Sequence, residues 1–302
     1  MINEDFEFII EHTNKQIVIV DTQWVLYRSH YSFKGLENSQ GMPIGHIYGL
    51  SILIQNLCKL NCEVFLSLEG HCTARKSLVE EYKAQRTDSA LGTMFINDYG
   101  RINDLTSDLP NVHLIQSDEY ESDDVMFSAA KLCEKHNKIC YIHTLDKDLY
   151  QALSPTTFIC TKVTSSGFQD IVDVNSQKYT SWFKDLRPQE LPIYRAFKGD
   201  SSDNIKPIVD RLPAKFAMDM AKYMYENNGK LEGFKPEKNS VWMQKVINNW
   251  QVFLNNYKIM KLNEIPFNFI HKSLPGAWAE IASRYKLTQY AWFMSYILNG
   301  GK

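Results

Sequence analysis

Nine acidic residues carry the chemistry this sequence can do. Asp21 closes the β-branched run Ile17-Val18-Ile19-Val20, and Glu69 follows the apolar Val64-Phe65-Leu66. Glu121, Asp123 and Asp124 stand together in Glu121-Ser122-Asp123-Asp124, while Asp146 and Asp148 flank Lys147. Asp200 and Asp203 complete the set in Gly199-Asp200-Ser201-Ser202-Asp203-Asn204. Carboxylates gathered in one place repel one another, and some stay protonated unless cations neutralise them. Magnesium is suited to that task, because it takes carboxylate oxygens and keeps several waters. Two such ions, about 4 Å apart, activate a water and stabilise the leaving oxygen of a phosphodiester.

Singly, each group has a plainer use. Acids at 121–124 fit a first helical turn, where the helix dipole favours them. Asp146-Lys147-Asp148 fits a solvated turn, and it lacks the glycine and terminal glutamate of an EF-hand. Asp200 fits a turn and Asp203 a helix cap. The conjunction is what points to a metal site.

Such a site needs elements that bring distant residues to one edge. The runs at 17–20, 64–66, 112–115 and 139–142 read as short buried strands. Helical spacing covers 47–60, and Glu121 to Asp124 open an amphipathic helix through Val125, Phe127, Ala130 and Cys133. Strands alternating with helices imply a mainly parallel α/β sheet, whose ligands bind beyond the carboxyl ends of the strands. Asp21, Glu69, Asp146 and Asp148 lie at or just past such ends. Residues 1–15 read as a lead-in helix or loose segment, and 87–110 as helix and flexible loop. Beyond about residue 176 strand signals fade and helical patterns take over, near 188–198, 214–226, 240–255 and 278–297. The expected organisation is an α/β catalytic domain over 1–185 and a helical region over 186–302.

The whole-chain numbers exclude several classes. A chain of 302 residues with 44% hydrophobic and 23% charged residues fits an ordinary globular protein. It has no apolar run long enough to span a bilayer and no secretory signal pattern, so no membrane association is expected. Its six cysteines show no CxxC pair, and its eight histidines no HExxH or paired spacing, so reduced packed thiols are expected rather than zinc. There is no P-loop and no GxGxxG. A formal net charge of −2 is unusual for a nucleic-acid binder. It is compatible with one where acids are concentrated in a site that metal ions neutralise.

Five motifs resemble the 5′-nuclease family of flap endonucleases, phage 5′–3′ exonucleases and the 5′-nuclease domain of bacterial DNA polymerase I. They are Val20-Asp21-Thr22 with Tyr27-Arg28, Tyr82-Lys83-Ala84-Gln85-Arg86, Tyr120-Glu121-Ser122-Asp123-Asp124-Val125, Thr144-Leu145-Asp146-Lys147-Asp148-Leu149-Tyr150-Gln151, and Tyr194-Arg195-Ala196-Phe197-Lys198-Gly199-Asp200-Ser201-Ser202-Asp203-Asn204. They keep the family's order and spacing over roughly residues 16–220.

The resemblance implies a PIN-like sheet flanked by helices and a two-ion magnesium site in which manganese can substitute. Asp21, Glu69, Glu121 and Asp123 would bind the first ion; Asp146, Asp148 and Asp203 the second, with Asp123 near both. Asp124 and Asp200 would support them. Where this chain has Glu69, the family carries aspartate. Asp21 and Asp146 are the acids on which hydrolysis would depend most. Lys83 and Arg86 would engage the scissile phosphate, joined by Arg75, and Tyr82 would stack on an unpaired base.

After Asn204 the family has a glycine-rich helical hairpin. Here the stretch from Ile205 to Ala217 has no glycine and holds Pro207 and Pro213. Duplex contact is therefore expected from Lys206, Arg211 and Lys215. The implied substrate is DNA with 5′ ends or flaps, or an RNA–DNA hybrid. The implied setting is a monomer working with replication proteins in the cytoplasm of a bacterium or phage-infected host. A non-catalytic relative that recognises 5′ ends or junctions is the alternative, and a PIN-type ribonuclease ranks last.

Overall fold

The run Ile17–Asp21 (β1) is buried at every position, as a strand covered on both faces must be. Its side chains alternate, so Ile17 and Ile19 enter one core and Val18 and Val20 another. The computed structural model describes residues 3–38, 40–70, 73–77, 90–235 and 240–299. Among these, seven strands form one sheet around β1. The others are β2 (Glu63–Ser67), β3 (Val112–Gln116), β4 (Cys140–His143), β5 (Thr157–Thr164), β6 (Gly167–Val172) and β7 (Asn268–Phe269), in the order β6-β5-β4-β1-β2-β3-β7. The five inner strands are parallel, and the edge strands β6 and β7 run antiparallel to their neighbours. The register sets Asp21 opposite Ser67 and Val20 opposite His143, so three strands end almost level.

The helices of the first half are α1 (Glu4–His12), α2 (Thr22–Ser32), α3 (Gly45–Lys59), α4 (Thr73–Lys76), α5 (Ala90–Asn97), α6 (Tyr99–Leu105), α7 (Ser122–Lys135) and α8 (Gln177–Phe183). Those of the second half are α9 (Leu191–Lys198), α10 (Ala214–Glu226), α11 (Ser240–Asn248), α12 (Trp250–Met260), α13 (Ala277–Arg284) and α14 (Thr288–Leu298). The mainly parallel sheet with flanking helices is the expected α/β architecture.

Several elements differ from the sequence expectation. The β5–β6 hairpin was not expected: three threonines and a lysine confine the apolar residues of β5 to a short run, and β6 is largely exposed. β7, only two residues long, brings a piece of the C-terminal half into the sheet beside β3. The helical pattern over 240–255 is two helices divided at Asn249. That over 278–297 is broken at Tyr285–Leu287, where Lys286 takes a left-handed φ of 52°.

Packing also runs across residue 185. One core cluster joins Phe65 and Ile142 of the sheet to Ile208, Phe216, Phe253 and Phe267. On the other face, Leu50 and Phe95 pack with Tyr285 and Tyr290, and the Tyr290 hydroxyl donates to the Leu105 carbonyl at 2.7 Å. No helix among the described residues is long and apolar enough to cross a membrane.

His143, at the end of β4, is 2% exposed, donates from Nδ1 to the Cys160 carbonyl (3.0 Å) and meets the edge of Trp24. Burial pushes its pKa down to about 4. The unfolded chain takes up this proton near pH 6.5 and the folded chain only near 4. This contribution to stability is therefore complete above about pH 6.5 and is lost as pH falls toward 4, by up to about 3 kcal/mol. Urea denaturation at pH 7 and near pH 4.5 should show His143→Gln losing less stability on acidification than wild type; equal losses would remove His143 from the account.

Candidate metal centre

Asp21 is the last residue of β1 and the N-cap of α2. Its Oδ1 accepts from the Trp24 backbone N–H at 3.0 Å, and its Oδ2 from the Thr144 hydroxyl at 2.8 Å. It is 9% exposed, and burial raises its pKa to about 6 despite both hydrogen bonds, with nearby Asp146 pushing the same way. Thr144 serves twice, since its oxygen also accepts from the Asp146 backbone N–H at 3.0 Å. Asp146 in turn accepts from the Asp148 N–H at 2.8 Å. One hydroxyl thus ties the end of β1 to the acidic turn beyond β4.

Glu69 is held through its backbone: its N–H donates to the Tyr99 hydroxyl (3.0 Å), and its carbonyl accepts from Gln116 Nε2 (2.7 Å). The next residue must be glycine, because a Cβ on Gly70 would lie 1.9 Å from the Ser117 carbonyl oxygen. Glu121 caps α7, and Asp123 and Asp124 occupy its first turn. Ser122, between them, donates to Ser67 at the end of β2 (2.9 Å), which fastens α7 to the sheet.

Seven of the nine acids line one cavity of about 330 Å³ at the carboxyl edge of the parallel strands: Asp21, Glu69, Glu121, Asp123, Asp146, Asp148 and Asp203. Ile205, Ile259, Met260 and Leu262 form its wall from the C-terminal half. Asp123 feels four of the others. Burial first, then the charges of Asp146, Asp21, Glu121 and Glu69, hold its carboxyl well above the usual range.

Asp124 and Asp200 stand outside the lining. Asp124 is 1% exposed and faces Arg75 and the Asn263 N–H (3.2 Å). Asp200 shares Arg195 with Asp148, so that guanidinium bridges the two acidic turns. Gly199, just before Asp200, has a φ of +68° and leaves no room for a Cβ beside Pro207 and Ile205.

Arg75, expected as a phosphate contact, lines the same cavity. It is 6% exposed, and it reaches Glu121 at 2.5 Å, Asp124 at 2.6–2.8 Å and the Ile259 carbonyl at 3.0 Å. A guanidinium engaged in this way neutralises buried acids inside the protein. Tyr82, Lys83 and Arg86 lie outside the described residues. Lys206, Arg211 and Lys215 are exposed, on and after a stretch without helix that runs from Asp203 to the start of α10, and they do not line the cavity. Sequence reasoning gave no role to Thr144, Tyr99, Gln116 or Ser67, because a hydroxyl or amide that supports an acid from another element leaves no local pattern.

The donor set fits a hard cation, since among the described residues seven carboxylates line the cavity and no His or Cys does. Among the described residues, no three His, Cys, Asp or Glu side chains already converge on one point.

The chain matches the family model described as 5′-3′ exonuclease, N-terminal resolvase-like domain, over residues 16–181. It is 26% identical over 273 residues to a 5′-3′ exonuclease of Buchnera aphidicola, covering 86% of this chain and 91% of that relative. To the thermostable DNA polymerase I of Thermus aquaticus it is 31% identical over 192 residues, which is 63% of this chain but only 22% of the polymerase. In fold it resembles the bacteriophage T5 flap endonuclease solved in complex with DNA and metal ions. The TM-score is 0.59 at 16% identity, over 94% of this chain and 98% of that one. It also resembles flap endonuclease-1 of Methanococcus jannaschii, with TM-score 0.56 at 12% identity over 96% and 95%.

Removing the Arg75 charge leaves Glu121 and Asp124 buried without their main counter-ion. Arg75→Gln should lower stability by about 3 kcal/mol in urea denaturation, as breaking a buried pair does. An unchanged midpoint would mean that the guanidinium is not holding these acids.

Proposed function

Since the chain belongs to the 5′-3′ exonuclease family, we propose that it hydrolyses phosphodiester bonds at 5′ ends or flaps of DNA, using two divalent ions. The observation that carries this reading is the seven-carboxylate cavity, six of whose acids lie within the family match. We assign Asp21, Glu69, Glu121 and Asp123 to one ion, and Asp146, Asp148 and Asp203 to the other, with Asp123 between them. Asp124 and Asp200 support the set through Arg75 and Arg195. Magnesium is the ion proposed, with manganese as a substitute.

Bound divalent ions supply the positive charge that offsets these carboxylates and the Lewis acidity that activates water and the leaving oxygen. The protein's own groups arrange the rest. Thr144 orients Asp21 and the Asp146 turn together, and Tyr99 and Gln116 fix the backbone at Glu69. Asp21 and Asp123, both held toward the protonated form, release protons when a cation enters. The apolar wall of Ile205, Ile259, Met260 and Leu262 limits water on one side, which strengthens charge interactions inside. Lys83 and Arg86 are assigned to the scissile phosphate, Tyr82 to an unpaired base, and Lys206, Arg211 and Lys215 to duplex phosphates. Hydrolysis of an RNA 5′ strand on DNA, and work alongside replication proteins as a monomer, belong to the same reading.

A 5′-labelled flap duplex and a 5′-recessed duplex, incubated with magnesium, manganese or EDTA, test it. Metal-dependent products from the 5′ end are expected, and their lengths separate trimming from flap cutting. Asp21→Asn and Asp146→Asn should each lower the rate more than about a hundredfold while the fold is kept. Full activity in either variant would sink the assignment. Binding without cleavage under both metals would favour a non-catalytic relative.

A further inference from the structure

Lys147 stands between Asp146 and Asp148, two acids of the cavity, yet its ammonium is taken up by a ring. Its Nζ lies 3.1 Å from the centroid of Trp182 on α8. The same indole stacks on Tyr150 at 6.1 Å between centroids and 15° between planes. Tyr150 is 2% exposed and sits in the 3-10 turn that starts at Asp148. Trp182 therefore grips the acidic turn at two points, one on either side of Asp148. The indole is 40% exposed, so its place against this turn is not explained by burial alone.

A lysine has a long flexible stem and a compact ammonium that pairs readily with carboxylates. Burial and the charge of Arg195 disfavour the Lys147 ammonium where it stands, while the charges of Asp146 and Asp200 attract it. Released from the ring, the ammonium would settle among the acids that the proposed function reserves for divalent ions. A cation over an indole face is attracted by the ring quadrupole, and indole is the best of the aromatic side chains for this. With Lys147 and Tyr150 against it, the ring is also poorly placed to stack on a nucleobase.

We propose that Trp182 is a positioning residue for the metal site: it holds Lys147 away from Asp146, so that this ammonium does not compete there with a divalent ion, while Asp148 stays with Arg195. The inference rests on the metal-site reading above. Without Trp182, Lys147 becomes an internal competitor for the second ion.

Manganese binding to the full chain without nucleic acid, followed by calorimetric titration, tests this apart from activity. Wild type should bind, and Asp146→Asn should lose affinity; if wild type does not bind, the metal-site reading itself fails. Trp182→Leu, which keeps apolar packing but has no π face, should weaken manganese binding roughly threefold to tenfold. Trp182→Phe should fall between the two. The double variant Trp182→Leu with Lys147→Met should recover wild-type affinity to within about twofold. Unchanged affinity in Trp182→Leu, or a loss that Lys147→Met does not reverse, would overturn the proposal. If circular dichroism shows Trp182→Leu unfolded, the same comparison is made with Trp182→Phe alone and combined with Lys147→Met.

Discussion

The repulsion among carboxylates gathered at the sheet edge is the constraint on which the rest of this structure depends. Asp21 and Asp123 are both displaced toward their protonated forms, and Asp123 responds to four other acids. A cluster of this kind opposes folding unless something else holds it together. Here the holding is done in two ways. Arg75 and Arg195 each bridge two acids, and single polar groups such as Thr144 and Ser122 fasten the ends of neighbouring elements. The five parallel strands make this possible, because every inner strand delivers its carboxyl end to the same edge.

Much of this was legible in the sequence, for identifiable reasons. Central parallel strands are apolar runs, so β1 and β2 announce themselves, and the acids at or just after them are easy to place. The first turn of α7 is readable because acids followed by helical apolar spacing mark an N-terminus. Edge strands were not readable. β6 is solvated and β7 is too short to carry a pattern, so only pairing partners define them. Two long helical patterns hid a break each, at Asn249 and at Lys286, since one non-helical residue interrupts a helix without changing its apolar period.

Within the site, residue type was more legible than residue use. Arg75 looks in sequence like one member of a basic segment, and nothing local says that its partners are Glu121, Asp124 and the carbonyl of Ile259. Those contacts exist only in the assembled chain. Tyr99 and Gln116 are similar cases. They serve the backbone of Glu69, from elements that no spacing rule connects to it.

The bond from Arg75 to Ile259 joins residues 184 apart in the chain. Together with β7 in the sheet and Phe253 in the same core as Phe65, it makes the two halves of the sequence unequal to two modules. Excising the first half as a minimal catalytic unit would remove an edge strand, open one face of the core and release one tether of the arginine that spans two of the acids. Such a fragment would not be a smaller version of the protein.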